Sequence, residues 1–405
     1  MEGPGFVMGN IAKGKDLWDR DEEIRNIWNN LEKSSVLLKA PRRFGKSSIM
    51  WNLFENPSPL YKVIFIDTEG MRNPLDFITR LMSEMISKNI LKKSFMGWLK
   101  KKIPSIDEIG FGVGVDGSAD FRIKLKESIG KDWQENGFEL ISKAKEYDGQ
   151  ILFILDELPL LVQNIWHNEG EKTAHNFLFW FREIRQELPN IRWLVGGSIG
   201  IEHILNQIKA GPKVINDFQI LNVGPFSETD GRNFIKALLI NEGDMQRMKS
   251  EVIDEILNTI GPPIPYFLQV LIYESLNEMR RRKKKTLNSE IIKTAYNEGV
   301  LGPASRTYFE HYYTRLKDYY DSKIEHIAKR LILEVARKGN IKKSDLFKLF
   351  RLEGKGELTD ETFSYLMTDI ENDFYVSYNP ENACYSFTTN LLRDWWLRYY
   401  DMVEE

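Results

Sequence analysis

A chain of 405 residues is longer than a single hydrophobic core usually grows, about 250 to 300 residues, so two or three domains are expected. Hydrophobic residues make up 42% and charged residues 28%, and a net charge of −3 gives no global field to draw nucleic acid. The single cysteine, Cys384, excludes an intrachain disulfide framework and a cysteine-based zinc site, in keeping with a reducing cytoplasm. The first residues lack a basic region followed by an apolar core, so no signal peptide is expected. No run approaches 18 apolar residues, since even residues 151–162 are interrupted by Asp156 and Glu157. The expectation is a soluble, cytoplasmic protein with no membrane segment.

The first periodic segment, residues 16–33, places Trp18, Ile24, Ile27, Trp28 and Leu31 at mostly helical spacing, with acids early and Lys33 late. A short apolar run at 36–38 then reads as a buried strand. It ends in Ala40-Pro41-Arg42-Arg43-Phe44-Gly45-Lys46-Ser47-Ser48, and a helix is expected from Ile49. Strand, glycine-bearing loop and helix in that order are the context of a phosphate-binding loop. Its successive N–H groups can converge on phosphate oxygens, with Lys46 neutralising the β and γ phosphates and the Ser47 hydroxyl a magnesium ligand. The first glycine of that pattern is Ala40 here.

After the breaker at 56–59, residues 63–66 form a second strand ending at Asp67, and a helix is expected over 74–93. Residues 108–126 alternate Phe111, Val113 and Val115 with glycines, then Phe121, Ile123 and Leu125 with polar residues, across a turn signal at 116–120. That period of two predicts an inserted β-hairpin. A helix over 129–147, strands at 151–155, 191–195 and 218–223, and a helix over 172–187 complete the region. Five short apolar strands separated by helices imply an α/β fold with a parallel sheet covered on both faces.

From about 227 onward only helices are expected until the C-terminus: 227–241, 248–260 and 265–281, with a breaker at 261–265. The basic run 280–285 closes the last of these, either as a solvated helix end or as a contact for an acidic partner. Helices over 324–336, 343–350 and 359–372 precede strands at 374–378 and 384–387, a winged-helix pattern. A last amphipathic helix over 391–400 carries Trp395, Trp396, Tyr399 and Tyr400. The expected boundaries are a core at 1–226, a helical lid at 227–300, and a linker with the winged helix at 301–405.

Asp156-Glu157 supplies the second half of the chemistry. A carboxylate at the end of a buried strand is costly without a positive partner, which magnesium and nucleotide phosphates would provide beside Ser47. Glu157 is then placed to polarise a water against the γ-phosphate. Ser198, after Val195 and two glycines, is either a sensor of that phosphate or a small-residue turn. Arg42 and Arg43 either lie along the phosphates, reach a neighbouring subunit or are simply exposed, and Arg182 and Arg185 are further cationic candidates. Asp67 fits a D-x-x-G spacing, but no N-K-x-D guanine reader accompanies it. The five histidines show no metal-ligand spacing. In the winged helix the third helix holds Asp360, Glu361, Asp369, Glu371 and Asp373 without a lysine or arginine, while Lys342, Lys343, Lys348 and Arg351 lie on or beside the second, so nucleic acid is possible but a protein partner is favoured.

These motifs in this order, with Asp19 to Glu23 before the first strand and Gly261-Pro262-Pro263-Ile264-Pro265-Tyr266 in the lid, resemble the archaeal-type ATPase family. That family is a branch of the STAND ATPases, allied to AAA+ and Cdc6-like proteins. The resemblance implies an ASCE-type P-loop NTPase with a sheet ordered 5-1-4-3-2, a helical lid, a C-terminal winged helix, and ATP with magnesium. Carried onto this chain, it makes Lys46 and Ser47 the phosphate and magnesium residues and Asp156 and Glu157 the Walker B pair. Ser198 takes the sensor position, and Pro263 and Pro265 belong to a motif that approaches the nucleotide. The expected function is an ATP-hydrolysing switch; the rival is a nucleotide-gated adaptor or DNA-binding regulator with little hydrolysis.

Overall fold

The structure, a computed structural model, describes residues 3–91, 97–99, 101, 119–197, 200–241 and 250–401. It divides into two compact units. Arg20–Ala40 and Lys46–Val223 form a sheet unit; Met1–Asp19, Pro41–Gly45 and Gly224–Glu405 form a helical unit.

Five strands make the centre of the sheet unit: β1 (Val36–Lys39), β2 (Tyr61–Asp67), β3 (Gln150–Asp156), β4 (Ile191–Gly196) and β5 (Gln219–Asn222). Their order is β2-β3-β4-β1-β5, the expected 5-1-4-3-2, and every neighbouring pair is parallel. Parallel neighbours need crossover helices, so both faces are covered and both must be apolar. Along β3, Ile151, Phe153 and Leu155 enter one buried cluster while Leu152 and Ile154 enter the other. β1 divides likewise, Leu37 against Val36 and Leu38. This two-sided burial is why the strands read as continuous apolar runs. Each such side chain contributes about 1.5–3 kcal/mol by leaving water. Helices Pro74–Ser87, Leu158–Glu169 and Glu171–Glu187 supply the first face, and Asp21–Leu31 and Lys46–Glu55 the second. The parallel strands end together at one edge of the sheet, the edge where open α/β sheets bind ligands.

Two sequence readings change here. Of the hairpin expected at 108–126, residues up to 118 lie outside the described residues, and the second limb is a helix, Ala119–Ile129. Leu125 and Ile129, one helical turn apart, are buried together while Ile123 is 52% exposed, so a helical stripe outweighs the apparent alternation. Leu158–Glu169 is a further helix, hidden in sequence because its apolar residues run on from β3.

In the helical unit, Glu228–Asn241, Ser250–Ile260, Pro265–Arg281 and Ser289–Thr294 pack side by side. Pro265 sits in the first turn of its helix, where its missing N–H costs nothing. Helix Glu310–Tyr319 leads into Ser322–Lys338, Lys343–Glu353 and Asp360–Asn372 and a small antiparallel sheet. That sheet is ordered β6 (Asn340–Lys342), β8 (Cys384–Phe387), β7 (Val376–Asn379). Three helices with this sheet form the winged-helix arrangement, with β6 an additional strand. The closing helix Asn390–Tyr400 buries Trp395 and Trp396 and is tied back to the segment after Ser289–Thr294: Tyr296 Oη donates to Asp394 Oδ2 at 2.8 Å and Tyr399 Oη to the Leu301 carbonyl at 2.8 Å.

Candidate nucleotide site

β1 ends at Lys39, and the loop that follows carries two left-handed residues in alternation, Arg43 at φ 76° and Gly45 at φ 91°. Alternating right- and left-handed backbone turns successive N–H groups toward one point and makes a concave anion cradle. Gly45 adopts that conformation freely, whereas for Arg43 it costs on the order of 1 kcal/mol. In the sheet unit, Lys46, Ser47 and Ser48 form the first turn of Lys46–Glu55, where backbone amides without an intrahelical partner can meet an anion.

In the sheet unit the Lys46 Nζ lies 3.2 Å from Asp156 Oδ1 and 3.8 Å from Glu157 Oε1. Lys46 is 6% and Asp156 7% exposed, so these are buried charges that must compensate one another. Two carboxylates thus face one ammonium and bring hard oxygen donors to the strand ends. Asp156 is fixed from behind, since both the Thr68 amide and hydroxyl donate to its carbonyl, at 3.0 and 2.8 Å. Glu157 takes a left-handed backbone, φ 64°, at the turn from β3 into Leu158–Glu169. Strain of this kind clusters at functional sites.

Space for Lys46 comes from β4. A Cβ on Gly196 would stand 2.9 Å from Lys46 Cδ, and one on Gly197 would stand 2.5 Å from Pro159 Cδ and 3.4 Å from Glu157 Oε2. Sequence reasoning does not single out Thr68 or these two glycines as parts of the site. The glycine pair after an apolar run is the available signal. Ser198 lies outside the described residues.

The other expected residues stand in the helical unit. Arg42 is exposed, Arg43 lies with its guanidinium 4.4 Å from the centre of the Tyr266 ring, and Phe44 is fully buried. The Pro263 carbonyl accepts from the Phe226 amide at 3.1 Å, and Pro265 immediately precedes Tyr266. Arg185 is held by Asp217 at 2.9 Å and by the Val214 carbonyl at 2.6 Å, inside the sheet unit, so it is structural. Arg182 donates to Asn216 at 3.2 Å. Asp67 accepts from the Glu69 amide at 2.9 Å, an ordinary turn at a strand end. No group of three metal-ligating side chains occurs among the described residues.

Several basic residues of the helical unit are held in ion pairs. Arg281 and Arg282 pair with Glu278, Glu298 and Glu290, Lys348 with Asp345, and Lys338 with Glu334. Among the described residues no helix is long and apolar enough to cross a membrane.

No family model matches the chain, and no curated protein does. Solved structures do resemble it. A Walker-type ATPase of Pyrococcus abyssi is similar at a TM-score of 0.62 and 17% identity, covering 96% of this chain and 99% of that one. The ORC2 protein of Aeropyrum pernix, in ADPNP–ADP complexes, is similar at a TM-score of 0.55 and 13% identity, covering 97% and 95%. At such identities the likeness is one of fold, and it extends over nearly the whole length of both chains. The chain thus has the P-loop NTPase fold, in the arrangement shared with the archaeal Walker-type ATPase and ORC-type proteins.

Proposed function

We propose that this protein binds and hydrolyses ATP and works as a molecular switch of the STAND and AAA+ type. The observation that carries the reading is Lys46, buried against Asp156 and Glu157 at the strand ends. Lys46 would exchange its carboxylate partners for the β and γ phosphates, and the amides of Gly45 to Ser48 would hold phosphate oxygens. Glu157 would orient a water for attack on the γ-phosphorus and take its proton, with ADP and phosphate as products. Ser198 is proposed as the γ-phosphate sensor, and Ala40 to Phe44 with Pro263 and Pro265 as the remaining nucleotide contacts.

Ser47 and Asp156 are hard oxygen donors, which fits magnesium; a bound Mg2+ would supply charge neutralisation at the phosphates. Similarity to the ORC2 structure with ADPNP and ADP supports nucleotide as the ligand. The division into a core to 226, a lid over 227–300 and a winged-helix part from 301 is the proposed working arrangement, with movement of lid and winged helix as output. A protein partner on one of these parts is favoured over nucleic acid, because the exposed face of Asp360–Asn372 carries Asp360 and Glu361 and no cation.

Steady-state hydrolysis with Glu157→Gln tests the reading. Turnover should be lost while ATP is still bound; turnover equal to the wild type would remove Glu157 from the chemistry.

A further inference from the structure

The strained part of the cradle is held by side chains far away in sequence. Pro41–Gly45 groups by contact with the helical unit, not with the strand it follows. Three contacts tie it there. The Arg43 guanidinium lies over the Tyr266 ring, 4.4 Å from its centre. Phe44 meets Phe374 edge to face at 4.7 Å and is fully buried. Tyr312 Oη donates to the Arg42 carbonyl at 3.4 Å. Burial raises the Tyr312 hydroxyl's pKa, against the nearby Arg315 and Arg43, so it remains a donor.

These contacts fall on three consecutive residues, and the middle one is the non-glycine residue in the left-handed region. Arg43 has no carboxylate partner among the described residues, and its Nε is buried without an acceptor. The Tyr266 face is therefore the main interaction that fixes its side chain, and with it the backbone that curves the cradle. Phe374 follows Asp373, which is locked by Arg315 at 2.9 Å, and Tyr375 Oη donates to the Tyr312 carbonyl at 2.5 Å. The holding surface is itself rigidly supported.

We propose that Tyr266, Tyr312 and Phe374 are positioning residues for nucleotide: they hold Arg42 to Phe44 so that the phosphate cradle is formed before ligand arrives. This rests on the reading of the loop as a nucleotide site, which it deepens by naming what regulates its affinity. Whatever displaces the lid tyrosine or the winged-helix phenylalanine lowers nucleotide affinity, and by linkage bound nucleotide strengthens their hold by the same factor. A pre-formed cradle binds more tightly because the ordering cost is met in advance.

The test combines two measurements on the full chain. In the nucleotide-free protein, amide hydrogen exchange over 42–45 should rise about tenfold in Tyr266→Ala and stay near wild type in Tyr266→Phe, which keeps the ring face. ATP and ADP affinity, by calorimetric titration, should fall about tenfold in Tyr266→Ala, equivalent to about 1.4 kcal/mol, and within twofold in Tyr266→Phe. Arg43→Gly removes the guanidinium and frees the backbone, so in that background Tyr266→Ala should cost less than twofold. Tyr312→Phe, which deletes a single hydroxyl, gives a milder second variant with an expected loss of about threefold, usable if Tyr266→Ala does not fold. Unchanged exchange in both Tyr266→Ala and Tyr312→Phe would overturn the proposal, as would a Tyr266→Ala cost that is the same with and without the Arg43→Gly change. Failure of the wild type to bind any nucleotide would instead overturn the nucleotide reading, while the exchange data would still decide whether these residues position the loop.

Discussion

The strand-end site of the sheet unit and the winged-helix face of the helical unit both carry charge, and they treat it in opposite ways. At the strand ends Lys46 lies against Asp156 and Glu157, with Lys46 and Asp156 buried where water screens charge poorly. On the winged helix Lys348 pairs with Asp345, Lys338 with Glu334, and Lys323 with Glu357, all at the surface. Surface pairs of that kind are worth about 0–1 kcal/mol each and leave little field for a charged ligand. The contrast is between charge gathered where water is scarce and charge paired off at the surface, and only the first marks a candidate site.

The largest expected effect belongs to the first region. Glu157→Gln keeps the shape and removes the base, and loss of a positioned general base lowers turnover by about 10²–10⁴-fold. A smaller loss would place the proton elsewhere and blunt the contrast. Next is the second region: duplex DNA should change the ATPase rate less than about twofold at moderate salt, and stimulation with salt-sensitive binding would show that the winged helix holds an unmatched positive surface after all.

The smallest effect concerns His311, beside the loop-holding tyrosines. Burial lowers its pKa first, and Arg42, Arg43 and Arg315 lower it further, to about 2, against a hydrogen bond with the Tyr308 backbone. A folded pKa below the unfolded value of about 6.5 means that folding excludes the proton. Stability is therefore full above pH 6.5 and falls as the pH drops from there toward 2, by at most about 1.4 kcal/mol per pH unit for one proton. His311→Gln should flatten the fall of melting temperature between pH 6.5 and 5; parallel curves would show that the ring is not held neutral.

The sheet unit is legible in the sequence because two-sided burial writes a strand as an apolar run, and because Lys46 and Asp156-Glu157 sit at fixed offsets from such runs. Pro265 at the head of its helix is equally plain. The second limb of the expected hairpin differs because Ile123 and Leu125 fit an alternation in sequence, and only burial, with Leu125 and Ile129 inside and Ile123 out, reveals the helix. Residues 158–169 merge with β3 for a similar reason. Tyr266, Tyr312 and Phe374 carry no signal as loop contacts. They lie more than 200 residues from Arg43 in sequence, and nothing local in an aromatic residue says which backbone it will hold. Gly196 and Gly197 fall between these cases, visible as a pair but not as the space Lys46 needs.

The central claim is that Lys46 leaves its carboxylates for nucleotide phosphate, and calorimetric titration of ATP into the wild type and Lys46→Ala tests it most directly. Binding should weaken on the order of 100-fold, the equivalent of about 3 kcal/mol for a buried charge-assisted contact. Equal affinity in the two proteins would contradict the assignment of the site.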